Sequence, residues 1–130
     1  MSVGILLLTH EAMGEALIAT ARHILGRTPP ALGAQAIPPG SDVDAALRDT
    51  AASVRALDSG DGVLILTDVY GATPSNIAER LTALGLNVQR VSGLNLPMLL
   101  RVLNYPEQSM AELVQTAASG GRGGILINHA

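Results

Sequence analysis

Two segments of this chain end in side chains that can do chemistry together. Gly4, Ile5, Leu6, Leu7, Leu8, Thr9, His10 and Gly62, Val63, Leu64, Ile65, Leu66, Thr67, Asp68 share one pattern: a glycine, four aliphatics, a threonine, then a polar group. A carboxylate beside an imidazole accepts one ring N–H, fixes the tautomer and leaves the other nitrogen's lone pair free as a nucleophile or base. Directly after Asp68 come Val69, Tyr70, Gly71, Ala72, Thr73 and Pro74, a small-residue loop entering a helix. Free backbone N–H groups and the helix dipole favour an anion there. Pro74 has no N–H, so the donors are the amides of Gly71, Ala72 and Thr73, with the Thr73 hydroxyl. A nucleophile, an orienting acid and an anion cradle together suit the capture of a phosphoryl group.

Each part also has a plainer reading. A lone histidine at a strand end is an ordinary polar residue, Asp68 alone is a loop or capping residue, and Thr73 with Pro74 is a common helix start. The functional reading comes from their convergence, and convergence requires the right elements.

Apolar runs of four to six residues alternate with stretches of helical period, which predicts an α/β protein built on a largely parallel sheet. The first strand spans residues 3–8, and Met13, Leu17, Ala21 and Ile24 line the helix after it, which Gly26 ends. A weak strand at 32–37 leads to a helix with Ser41 as its N-cap and Val43, Leu47, Val54 and Leu57 on its buried face. The third strand, 63–66, is apolar throughout, as a central strand covered on both faces should be. Thr73 caps the next helix, Ile77, Leu81 and Leu84 face inward, and Gly85 stops it. A fourth strand at 88–91 leads to a helix at 95–103, with Asn95 as a cap near the site. Ser109 and Glu112 form a capping box for the last helix. The glycine-rich 119–124 lacks the Walker pattern and reads as a turn before a short closing strand at 125–128.

The predicted fold is a single-domain, doubly wound, flavodoxin-like sheet of strand order 2-1-3-4 over residues 1–130, with a short C-terminal edge strand. Strands one and three are neighbours in that order, about 4.8 Å apart, and flank the switch point where such sheets bind ligands. His10 and Asp68 therefore share one carboxyl edge. His23, inside an amphipathic helix, and His129, in the terminal residues, have no orienting partner in sequence and read as solvated or structural.

A chain of 130 residues can bury roughly two-thirds of its unfolded surface in one core. Hydrophobic residues make up 48% and charged residues 15%, a globular composition. Two Tyr and no Phe or Trp leave little stacking surface for bases, flavins or sugar rings. A net charge of -3 without a basic run argues against nucleic acid. The absence of Cys removes disulfides and thiol chemistry and suits a reducing, cytoplasmic setting. The opening apolar run is too short to cross a bilayer and has no basic segment before it, so direct membrane insertion is not expected.

The histidine ending the first strand, Asp-Val-Tyr-Gly-Ala-Thr-Pro-Ser-Asn at 68–76 and Ser-Gly-Leu-Asn-Leu-Pro-Met-Leu at 92–99 together resemble the enzyme IIA component of the mannose, fructose and sorbose phosphotransferase family. The resemblance covers nearly the whole chain. It implies that His10 accepts phosphate from the histidine-containing phosphocarrier protein and donates it to a IIB partner for sugar uptake, with Asp68 orienting the ring and without cofactor or metal. It also implies a homodimer whose terminal strand runs antiparallel at the sheet edge and exchanges between subunits. The chain departs from the family pattern at four positions. Glu11 stands where Gly commonly follows the histidine, Ala72 and Thr73 where Gly and Ser precede the proline, and Ser75 where Phe follows it. Glu11 adds negative charge near an incoming phosphate. No IIB domain follows, so that partner is expected to be separate or missing. Two other outputs fit the same residues: a stand-alone regulatory relay whose phosphorylation controls binding to a kinase, transcription factor or enzyme, and a binding module or hydrolase for a phosphorylated small molecule.

Overall fold

The computed structural model describes residues 2–27, 29 and 31–128. Its elements run β1 (Gly4–His10), α1 (Met13–Leu25), β2 (Leu32–Ile37), α2 (Val43–Leu57), β3 (Val63–Thr67), α3 (Thr73–Thr82), β4 (Val88–Ser92), α4 (Leu96–Leu103) and α5 (Met110–Gly123). The four strands form one parallel sheet in the order β2-β1-β3-β4.

The aliphatic runs of β1 and β3 make them the two central strands. Every residue of β3 is buried, as is every residue of β1 before His10. Alternate side chains feed two cores. Ile5, Leu7, Leu64 and Leu66 pack with Ile18 and Ala21 of α1, Leu99 of α4 and Leu113 of α5. On the other face Leu6, Leu8, Val63 and Ile65 meet Ala46 and Val54 of α2 and Ile77 and Leu81 of α3. Each buried Leu or Ile contributes about 1.5–3 kcal/mol over its exposed state, so the strands carrying the site are also the best anchored.

The β1–β3 register differs from the one the shared pattern suggests. Matching the two segments residue for residue would set Gly4 beside Gly62 and Leu8 beside Leu66, but Gly4 lies beside Val63 and Leu8 beside Thr67. The ladder is shifted by one, so that Leu6 and Ile65 share one core while Ile5 and Leu64 share the other.

Several local expectations are corrected. The glycine-rich 119–124 is not a turn; α5 continues through Gly123. The glycines serve helix packing, since a Cβ on Gly120 would stand 2.6 Å from the Arg101 Cβ of α4. Residues 125–128 form no strand, and Ile125, Leu126 and Ile127 are exposed. Asp42 caps α2 in place of Ser41, accepting the Asp44 N–H. Thr73 is the first helical residue of α3 and Ala72 holds the cap position without a side-chain bond. Met13, Ile24, Val43 and Leu84 are exposed. In α1 the buried stripe runs instead through Gly14, Ile18 and Ala21, because small residues let the helix lie close on the sheet. Asn95 does cap α4 through the Met98 N–H, and Ser109 with Glu112 closes the capping box of α5. His23 is exposed; His129 lies outside the described residues.

Candidate functional site

His10 and Asp68 meet at the carboxyl edge of the sheet. The His10 ring donates from Nδ1 to Asp68 Oδ2 at 2.7 Å, and the His10 backbone N–H donates to the same oxygen at 3.0 Å. Asp68 Oδ1 accepts the Val69 N–H at 3.0 Å. Burial works to raise the Asp68 pKa, but the His10 N–H, the His10 ring and the Val69 N–H outweigh it and hold the carboxyl below its ordinary value. An ionised carboxylate can only accept, so the proton of neutral His10 sits on Nδ1 and Nε2 carries the free lone pair. The two side chains differ in accessibility: that of Asp68 is 7% exposed and that of His10 50%. The acid is built in, while half the ring stands in solvent.

The one-residue register shift explains the double contact. One further step of the ladder would bring Thr9, not His10, level with Asp68, so the carboxylate reaches one residue along β1 and takes the next residue's amide and ring together.

Buried Thr9 secures the backbone that carries His10. Its hydroxyl accepts the Gly14 N–H at 3.0 Å and donates to the His10 carbonyl at 3.1 Å, tying the end of β1 to the first turn of α1. The equivalent Thr67 shares a 2.7 Å bond with Ser92, and its carbonyl accepts the N–H groups of Gly93 and Leu94 at 3.0 Å each. Neither threonine's role is visible in sequence beyond the repetition of the pattern. Between strand and helix, Glu11 adopts φ 44°, the left-handed region that suits glycine.

The loop after Asp68 enters α3 through Gly71, at φ 83°, and Ala72. Among the described residues the amides of Gly71, Ala72 and Thr73 donate to no protein acceptor, while the Gly71 carbonyl accepts from Asn76 and the Ala72 carbonyl from the Asn76 N–H. These amides gather at the N-terminus of α3, a position where the helix dipole and backbone N–H groups favour an anion. Arg90 of β4 lies against the same loop. Its one sign in sequence is a charge at an alternate position of a strand that is half-buried apart from exposed Gln89. Among the described residues no three His, Cys, Asp or Glu side chains gather as a metal site would require. The arrangement consists of a ring, an acid and amides.

Comparison with known proteins points the same way. Residues 4–118 match the sequence model of the family described as the PTS system fructose IIA component. The chain is 32% identical over 127 residues to the PTS system mannose-specific EIIAB component of Escherichia coli K12, a match covering 96% of this chain and 39% of that protein. It thus spans about two-fifths of the length of the curated relatives it matches. Among solved structures, the mannose/sorbose specific IIA subunit of Enterococcus faecalis superposes with a TM-score of 0.88 over 100% of this chain and 97% of that one, at 21% identity. The PTS IIA protein associated with the fucose utilization operon of Streptococcus pneumoniae superposes with a TM-score of 0.76 at 26% identity, covering 98% and 96% of the two chains.

Proposed function

The chain belongs to the mannose-type IIA family of the sugar phosphotransferase system, and we propose that His10 carries the phosphoryl group. The observation that carries this reading is the 2.7 Å bond from His10 Nδ1 to buried, ionised Asp68, which leaves Nε2 as the nucleophile on the half-exposed side of the ring. In the transfer, the N–P bond of a phosphohistidine on the carrier protein breaks while a bond forms between phosphorus and His10 Nε2. The donor imidazole leaves with the electron pair of the broken bond, and the Nδ1 proton stays on His10, held by Asp68. No proton need be abstracted. The transition state is loose, so the protein contributes position and stabilisation of charge on the phosphoryl oxygens. The amides of Gly71, Ala72 and Thr73 supply that stabilisation.

The phosphoryl group then passes to a IIB partner in the cytoplasm. No helix of the described residues is long and apolar enough to cross a membrane. The exposed run Ile125, Leu126 and Ile127, together with an open edge at β4, supports association of two copies. The deciding experiment supplies labelled phosphoenolpyruvate with the general phosphotransferase proteins and follows label in the wild-type chain and in His10→Ala. Alkali-stable, acid-labile label is expected in the wild type alone; label persisting in the variant refutes the assignment.

A further inference from the structure

The sequence of β4 places one charged residue where its neighbours on the same face are half-buried, and the structure shows where that charge goes. Arg90 crosses from β4 to the start of α3. Its Nη1 donates to the Ser75 carbonyl at 2.7 Å and to the Ser75 hydroxyl at 2.9 Å, and its guanidinium carbon lies 5.3 Å from the centre of the Tyr70 ring. Glu79 Oε2 is 3.7 Å away, a looser contact made by a largely exposed carboxylate. Ser75 is fully buried and Tyr70 is 75% exposed. Between those two contacts lie Gly71, Ala72 and Thr73. One side chain thus grips both flanks of the amide segment, from a strand that is itself hydrogen-bonded to β3.

We infer that Arg90 is a positioning residue for the anion cradle, holding residues 71–73 with their N–H groups gathered, an inference that rests on the phosphoryl-carrier reading. Two further observations support it. The loop pivots on Gly71 at φ 83°, the least restrained residue type, so its geometry needs a brace from outside the loop. The brace is also poorly placed for stability alone, because a cation near a helix N-terminus is opposed by the helix dipole. An anion arriving at the cradle reverses that opposition. Ser75, one of the departures from the family pattern, supplies both oxygens that hydrogen-bond the guanidinium, so the serine and the arginine form one device.

The test uses the full chain, with 15N-labelled amides of residues 71–73 followed during titration with inorganic phosphate, alongside transfer rates from the phosphorylated carrier. Arg90→Met is expected to weaken phosphate binding about tenfold and to slow transfer at saturating carrier by a similar factor, with KM for the carrier changed less than about twofold, since a misplaced site costs rate more than encounter. Arg90→Lys keeps the charge and can reach Ser75 but has no planar face for Tyr70, and should fall between. Tyr70→Leu is expected to cost about threefold, on the scale of a single cation–π contact, and Tyr70→Phe to restore it. A folded Arg90→Met with wild-type amide shifts, phosphate affinity and rate overturns the inference, as does a wild-type chain whose 71–73 amides ignore phosphate. Wild-type behaviour of Arg90→Lys together with a silent Tyr70→Leu also overturns it, leaving charge alone. If Arg90→Met fails to fold, Tyr70→Leu at its exposed position decides, and a silent result there rejects the brace. A wild-type chain that binds phosphate through these amides and loses it in Arg90→Met, yet takes no phosphoryl group, rejects the carrier reading and leaves the brace standing.

Discussion

The two loops that meet at the sheet edge turn the chain from strand to helix in different ways. After β1 the turn takes two residues, 11–12, and an exposed glutamate adopts the left-handed backbone. After β3 it takes five, 68–72, and a glycine adopts it. The first loop is cinched by the buried Thr9 hydroxyl, which bridges the strand end and the first turn of α1. The second leaves three amides open and is gripped from the flanks by Arg90. A loop that presents a side chain needs a rigid backbone and can be short. A loop that presents its own backbone needs length, small side chains and support from outside.

The largest expected effect lies where the loops touch. Asp68→Asn should lower the rate of phosphoryl transfer on the order of 10²-fold, less than the roughly 10⁴ lost when a serine protease loses its orienting carboxylate, because the proposed transfer abstracts no proton. Single-turnover transfer from the phosphorylated carrier measures this, and an unchanged rate would mean that the two loops need not communicate. The same substitution removes an acid limb. Because the folded pKa of Asp68 is depressed, its contribution to stability is complete above the ordinary value of 3.8 and is lost as pH falls through the lowered folded value. Urea unfolding between about pH 6 and about pH 2 should therefore fall off less steeply for Asp68→Asn than for the wild type.

Next in size are the threonines. Thr9→Val leaves the buried Gly14 N–H without its partner and should cost about 1–3 kcal/mol, whereas Thr67→Val, which removes a single bond to Ser92, should cost about 1 kcal/mol. Equal losses in denaturant midpoints would erase the claim that the first loop depends more on its strand-end hydroxyl. The smallest effects have opposite signs. Glu11→Gly should stabilise the fold by about 1 kcal/mol, and Gly71→Ala should destabilise it by about 1 kcal/mol, because each exchanges the residue type that a left-handed backbone tolerates. Thermal unfolding of the pair checks both, and two changes of the same sign would contradict the contrast.

Much of this arrangement is legible in the sequence because a buried parallel strand has little freedom. The aliphatic runs in β1 and β3 announce a central pair, and the polar residue ending each must emerge at the same edge. The match of ring to acid follows from that. The one-residue register offset does not, since the two segments repeat the same residue classes and are apolar on both faces, so their pattern fits either register. Helix faces likewise do not follow from leucines and methionines alone. In α1 close packing selects Gly14 and Ala21 and leaves Met13 and Ile24 exposed, and the last helix runs straight through a glycine cluster whose small size lets it approach α4. The Arg90 brace was out of reach for a different reason. Its partners, Tyr70 and Ser75, lie in another element, and only the crossover between strands brings them together.

Half of the His10 side chain is exposed and its acid partner is buried against it, so two proteins that both need the free ring nitrogen compete for the same small exposed surface. Whatever delivers the group must withdraw before whatever collects it can approach. On the role proposed for His10, carriage is an alternation of visitors, and its steady-state kinetics should show the parallel lines of a ping-pong scheme rather than the converging lines of a ternary complex.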